Sequence, residues 1–147
     1  MSEKTETAFR MSYRVVIDIR ADRRGIWARL TDAPGFPKWN STVERLEGPI
    51  ALGQKLALHV PIAPGRKFSP TVVVLEEGTR MVWQDGFFPM FQGTRTFFLS
   101  EQGGGVTRFE MEEVFRGLLL PMIKRSLPDF GPVFDRFAAD LKKVCEG

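Results

Sequence analysis

The sequence predicts an α+β fold in which a curved antiparallel sheet wraps around a long C-terminal helix and leaves an internal cavity. Three observations carry this expectation. From Thr42 to Arg116, β-branched and aromatic runs alternate with turns rich in Gly and Pro, the pattern of strands joined in sequence. Near the C-terminus Phe130, Phe134, Phe137 and Leu141 recur at helical spacing and form one apolar stripe. Thirteen Phe and three Trp stand against one Tyr, so much of the apolar area has no polar handle and suits a core or an apolar pocket wall. A bent sheet gripping a helix does not close perfectly, and the gap between them is where a small-molecule cavity is expected.

Each element has its own signal. Met11 to Arg20 alternates, with Tyr13, Val15, Ile17 and Ile19 on one side, and reads as the first strand. Residues 1–10 are polar and charged and predict a disordered tail ahead of a single domain over 11–147. Asp22 is placed to cap a helix from Arg23 to Thr31, with Ile26, Trp27 and Leu30 as its apolar stripe. Ala33-Pro-Gly-Phe-Pro37 breaks that helix, and a short helical turn from Phe36 to Asn40 follows. Six consecutive strands are expected next, over Val43–Glu47, Gln54–Val60, Phe68–Leu75, Arg80–Gln84, Thr94–Leu99 and Thr107–Phe115, arranged as a meander. Asp85 to Met90 reads as an aromatic loop between two of them. After Gly117 a helix begins at Leu118, with Pro121 tolerated in its first turn. Pro128, Gly131 and Pro132 force a restart, expected at Ser126 with Asp129 three residues on as a capping-box-like pair. The order is β-α-α-β6-α.

Composition removes several function classes. The 147 residues fit one domain with a real core. Net charge is +3, and the Lys and Arg residues are scattered rather than gathered into a stripe, which argues against nucleic acid as a partner. The lone Cys145 allows no internal disulfide. No stretch approaches the roughly 20 apolar residues that span a bilayer, and the N-terminal residues lack a signal-peptide pattern. These features lead us to expect a cytoplasmic protein with no stable membrane insertion, and they leave a homodimer open. His59 and Cys145 have no second soft ligand at metal-site spacing, so no metal or other cofactor is expected. The same shortage argues against a Ser-His-Asp or Cys-His triad. Gly103-Gly-Gly105 lacks a following helix and reads as a hairpin turn rather than a phosphate loop.

The chemistry concentrates in the last two strands. Phe109, Met111, Glu113 and Phe115 share one face, so a single carboxylate sits on an apolar surface, which is costly unless compensated. On the preceding strand Arg95, Phe97 and Leu99 share a face. One register places Leu99 opposite Phe109, Phe97 opposite Met111 and Arg95 opposite Glu113. The neighbouring same-face register leaves Arg95 diagonal to Glu113, still within reach. Three roles stay open for the pair: a paired charge that fixes register, a ligand-orienting group with Arg95 gripping a carboxylate or carbonyl, or acid–base catalysis by Glu113. Burial would raise the Glu113 pKa and Arg95 would lower it, and sequence does not decide between them. The expected pocket wall comprises Trp39, Phe68, Trp83, Phe87, Phe91, Phe97, Met111, Phe115, Phe130, Phe134 and Phe137, together with Arg95 and Glu113. Phe87 and Phe88 stand near the expected mouth.

These segments resemble the START-like helix-grip superfamily, also described as SRPBCC or polyketide cyclase/dehydrase-like. The resemblance rests on Trp27-Ala-Arg-Leu-Thr-Asp32, Phe36-Pro-Lys-Trp-Asn40, Val43-Glu-Arg-Leu-Glu-Gly48, Leu52-Gly53, Phe68-Ser-Pro-Thr-Val72, Met81-Val-Trp83, Gly93-Thr-Arg-Thr-Phe97 and Glu113-Val-Phe-Arg-Gly-Leu-Leu119, in that order. It implies a helix-grip fold with a ligand cavity between the sheet and the C-terminal helix. Similar proteins include carriers of hydrophobic molecules, aromatic polyketide cyclases and domains that stimulate the Hsp90 chaperone ATPase. Many similar chains carry a histidine and an acid in the stretch that here reads Gly93 to Phe97, where Thr94 and Arg95 stand instead. The shortage of catalytic side chains favours a binder or carrier of a small hydrophobic molecule. A metal-free cyclase or dehydratase using Glu113 and Arg95 is the alternative, and an Hsp90-activator-type interaction module is the third reading.

Overall fold

The computed structural model describes all 147 residues. Its main sheet has six antiparallel strands in the order β1-β2-β8-β7-β6-β5. In chain order these are β1 (Glu3–Glu6), β2 (Arg10–Ile19), β5 (Thr71–Glu76), β6 (Arg80–Phe87), β7 (Phe91–Gly103) and β8 (Val106–Arg116). A separate hairpin pairs β3 (Arg45–Glu47) with β4 (Ala57–His59). The helices are α1 (Arg23–Leu30), α2 (Phe36–Trp39), α3 (Leu120–Ile123) and the long α4 (Gly131–Glu146), with a 3-10 turn over Lys124–Ser126.

The sheet forms where the alternation predicts it. Met11, Tyr13, Val15 and Ile19 of β2 are buried, as are Phe97 and Leu99 of β7 and Phe109, Met111 and Phe115 of β8. The β7–β8 register pairs Leu99 with Phe109, Phe97 with Met111 and Arg95 with Glu113, the first of the two alternatives. The buried stripe of α4 includes Phe134, Phe137 and Leu141 and lies against this face. Phe137 sits about 6.0 Å from Phe109 with the rings nearly parallel, and its neighbours Phe36 and Phe97 each lie 6.1 Å away. Such ring pairs add modestly to what the buried area already contributes. Helix α1 starts where expected, with the Asp22 carboxylate accepting the Gly25 N–H at 2.8 Å.

Four local expectations are corrected. The tail is not disordered: Glu3 to Glu6 form β1, an edge strand on β2, and the Ser2 N–H donates to Asp135 of α4 at 2.6 Å. Main-chain pairing holds this segment, so its fully polar sequence gave no alternation to read. The six later strands do not form one meander, because β3 and β4 pair only with each other as named strands. Single bridges, Leu58 to Phe68 and Lys55 to Thr71, connect this hairpin to the chain entering β5. The Asp85–Met90 loop is largely strand, since β6 runs on to Phe87 and pairs it with Phe91. Helix α4 restarts at Gly131, not Ser126: the Ser126 hydroxyl donates back to the Ile123 carbonyl, and Asp129 accepts the Gly131 N–H. With Pro128 and Pro132 flanking it, the intervening chain cannot carry a regular helix.

Candidate functional site

The inner face of the sheet changes character along its own strands. Where Phe109 and Met111 of β8 meet α4, packing is complete and both residues are fully buried. Two steps further along β8, Glu113 and Phe115 border an open cavity of about 520 Å³. The floor is formed by Trp83 and Asp85 of β6, Phe91, Gly93 and Arg95 of β7, and Glu113 and Phe115 of β8. The side wall comes from Leu58, Val60, Arg66, Phe68 and Pro70, and the roof from Ile123, Ser126, Leu127, Pro128 and Phe130. Arg66, Gly86 and Ser126 are the exposed members of the lining and mark the mouth. The hollow therefore lies beyond the N-terminal end of α4, under the irregular chain that leads into it, and not along the body of the helix.

The polar centre is the predicted pair. Arg95 Nε donates to Glu113 Oε1 at 2.8 Å, and both side chains are largely buried, at 14% and 13% exposed. The Arg95 guanidinium also lies 5.2 Å from the Phe134 ring centroid, a cation–π contact that fixes it against α4. Glu113 Oε2 makes no protein hydrogen bond. The fully occluded side-chain polar atoms without a partner are the indole nitrogens of Trp39 and Trp83 alone, so Oε2 borders open space. That space exists because residue 93 is glycine: a Cβ there would stand 3.5 Å from Glu113 Oε2 and from the Phe115 ring. Burial pushes the Glu113 carboxyl above its ordinary range, Arg95 pulls it down, and the Asp85 carboxylate pushes it further up. Asp85 is itself held by the backbone N–H groups of Gly86 and Ser69, at 2.8 and 3.2 Å. The cavity thus has aromatic and aliphatic walls and presents a carboxyl oxygen with a raised proton affinity at one spot on its floor.

Of the residues expected to line the pocket, Phe68, Trp83, Phe91, Arg95, Glu113, Phe115 and Phe130 do so. Phe97, Met111, Phe134 and Phe137 are fully or almost fully buried core instead, because α4 seats flush over that part of the sheet. Trp39 is also core-facing, 4.9 Å from Phe36 and 6.0 Å from Phe137. Phe87 is 69% exposed and lies outside the lining. His59 pairs across from Arg45 in the small hairpin and is not in the lining, although its neighbours Leu58 and Val60 are. Sequence reasoning passed over Gly93, which contributes a missing side chain, and Asp85, which reads as a turn residue. It also passed over Leu127 and Pro128, whose irregular backbone has no periodicity. Strict alternation carried past Trp83 would have placed Asp85 on the same face.

Residues 10–146 match the family described as polyketide cyclase/dehydrase and lipid transport. The chain belongs to this family. Its fold is shared with a conserved protein of unknown function from Enterococcus faecalis, at TM-score 0.69 and 16% identity over 99% of this chain and 77% of that one. A START superfamily protein from Mycobacterium smegmatis aligns at TM-score 0.66 and 16% identity over 92% and 97%. Truncated norcoclaurine synthase from Thalictrum flavum aligns at 0.69 and 12% over 95% and 96%. No curated protein matches the sequence. At these identities the likeness concerns the fold alone. No helix is long and apolar enough to cross a membrane.

Proposed function

We propose that the protein binds a small hydrophobic molecule carrying one polar group, with the apolar body against Phe68, Trp83, Phe91, Phe115 and Phe130 and the polar group over Gly93. The observation that carries this reading is the unpartnered Oε2 of Glu113 facing an apolar-walled space of about 520 Å³, a volume in the range of small-molecule sites. A polar group there meets Glu113 Oε2 beside the Arg95 guanidinium, so both ligand donors and ligand acceptors find a partner. The family description, which includes lipid transport, agrees with an apolar cargo.

Native mass spectrometry of the protein purified from its own cells tests the reading. The expected result is an added mass that is released on denaturation, and uptake of Nile red by the emptied protein. Gly93→Leu, which puts a side chain into the cavity from a backbone position with no positive φ, should abolish both while the fold persists. A bare protein whose dye uptake is unchanged by Gly93→Leu overturns the proposal.

The raised proton affinity of Glu113 favours a second reading, a cyclase or dehydratase in which this carboxyl moves a proton and Arg95 stabilises the developing oxyanion. Glu113→Gln would then stop conversion of the retained molecule while leaving it bound. Conversion that survives the substitution rejects that mechanism.

A further inference from the structure

Three segments far apart in sequence meet beside the cavity mouth, and all three expose apolar side chains. Phe87 and Phe88 stand at the tip of the β6–β7 hairpin, 69% and 57% exposed, next to the mouth residue Gly86. Leu118, just before α3, and Met122, within it, are 59% and 77% exposed, and Met122 immediately precedes the lining residue Ile123. Backbone hydrogen bonds tie these segments into one surface: the Leu118 N–H donates to the Pro89 carbonyl at 2.8 Å, and the Leu119 N–H to the Met90 carbonyl at 2.9 Å. The Gly117 N–H donates to the carbonyl of Phe9, a further exposed ring. A monomer in water has little reason to gather five large exposed hydrophobes at one end.

The exposed charges around this lip are mainly cationic, with Asp129, between the lining residues Pro128 and Phe130, as the nearby exposed acid. Arg66 and Lys67 flank the mouth on one side, and Arg116 and Arg125 on the other; all four are exposed and none makes an ion pair. The Arg116 guanidinium lies 4.7 Å from the Phe88 ring centroid, so charge and apolar surface are interleaved. A protein–protein interface core tolerates Arg but is depleted of Lys and of charge in general, so a cluster of unpaired cations including Lys67 suits it less well. Aromatic and aliphatic side chains among unpaired cations are the composition that settles into the boundary of an anionic bilayer.

From these placements we infer that the lip formed by Phe9, Phe87, Phe88, Leu118 and Met122, with its ring of unpaired Arg and Lys, docks on an anionic lipid surface with the cavity mouth facing the bilayer. The docking rests on the binding reading above for its purpose: an apolar cargo would pass between bilayer and cavity without crossing water. The contact is peripheral and reversible, because the patch is small and the cations lose their advantage in salt.

Flotation with vesicles of phosphatidylcholine alone, and of phosphatidylcholine mixed with phosphatidylglycerol, tests the inference. The native protein should float with the mixed vesicles, bind those of phosphatidylcholine alone at least about tenfold more weakly, and be released by high salt. The double variant Phe87→Ser, Phe88→Ser, altered only at exposed rings, should lose at least about tenfold in binding to mixed vesicles. Arg125→Glu should weaken binding to a lesser degree. Nile red uptake in vesicle-free solution is the separate readout of the cavity and should be unchanged in both variants. Native protein that does not float with mixed vesicles, or a double variant that floats as well as native, overturns the docking. Co-purification of a protein that depends on Phe87 and Phe88, without vesicle binding, assigns the lip to a protein partner and also overturns it. Intact flotation with no dye uptake would leave the docking standing and sink only the cavity reading.

Discussion

The sheet offers one continuous inner face, yet its two ends behave differently. At the end near Ile19, Leu99 and Phe109, helix α4 lies flush, and Phe137, Ala138 and Leu141 fill the interval with almost no exposure. At the end near Gly93, Glu113 and Phe115, no regular helix covers the sheet, because Pro128, Gly131 and Pro132 delay the start of α4. The same β8 strand serves both ends, so sheet curvature alone does not make the hollow. A cavity persists where the covering chain is irregular and where β7 supplies a glycine instead of a side chain. Groups at the sealed end should govern stability, and groups at the open end should govern what is bound.

Removing a ring from the sealed end should have the largest effect on stability. Phe137→Ala deletes the ring packed among Phe36, Trp39, Phe97 and Phe109, and should cost about 3–5 kcal/mol in urea unfolding. A loss below about 1 kcal/mol would mean that this end relaxes as easily as the open one. Overfilling the same place comes next. Ala138 is 1% exposed on α4 within the packed core, and Ala138→Val should cost about 1–3 kcal/mol because the added carbons must displace close-packed neighbours.

At the open end the titration of Glu113 should be visible in stability. Burial raises its folded carboxyl above its unfolded value of 4.5, against the pull of Arg95 downward and with a smaller push upward from Asp85. The folded state therefore keeps a proton that the unfolded chain has released. The stabilisation is full below pH 4.5 and is lost as pH rises through the folded value. The exposed acids Glu6 and Asp18 are shifted downward by hydrogen bonds from Lys124 and Arg108, and Glu146 by the Arg20 backbone N–H and then Lys142, so their contribution is lost in the opposite direction, as pH falls. They are present in both native and Glu113→Gln proteins and cancel in the difference. Subtracting the Glu113→Gln stability curve from the native one should leave a difference that declines with rising pH from about 4.5 upward. A flat difference would show that burial and Arg95 cancel, and a rising one that Arg95 dominates and the carboxyl titrates low; either result removes the raised proton affinity.

The sequence made the sheet face legible and left the end of the face hidden. Alternation in Thr107–Phe115 and Thr94–Leu99 correctly put Arg95, Phe97, Met111 and Glu113 on one side, and cross-strand reach correctly paired the two charges. Period two says which side a residue faces and nothing about what lies above it. Phe97 and Met111 were therefore grouped with Phe91 and Phe115, although α4 covers the first two and leaves the others beside the hollow. The stripe Phe130, Phe134 and Phe137 was legible for the same reason, while only Phe130, at the helix entrance, reaches the cavity. Strand β1 was illegible because an edge strand with water on both faces needs no apolar pattern. Gly93 gave no signal because its contribution is empty space, which composition does not record.

The smallest stability effect belongs to that glycine, and it separates the two ends most directly. Gly93→Ala adds one methyl group, as Ala138→Val adds two at the sealed end, but its Cβ would meet Glu113 Oε2 and the Phe115 ring at 3.5 Å, ordinary contact. The backbone there is strand with no positive φ, so alanine fits without strain, and its narrower unfolded ensemble should stabilise the fold by about 0.4–1 kcal/mol. The methyl group would nevertheless occupy the space over the free carboxyl oxygen, so Nile red uptake and retention of the natural cargo should both weaken. Gain of stability with loss of binding in one variant is the signature of a space kept open for a ligand. If Gly93→Ala instead destabilised the protein as Ala138→Val does, the open end would be packed as tightly as the sealed one, and the contrast between them would vanish.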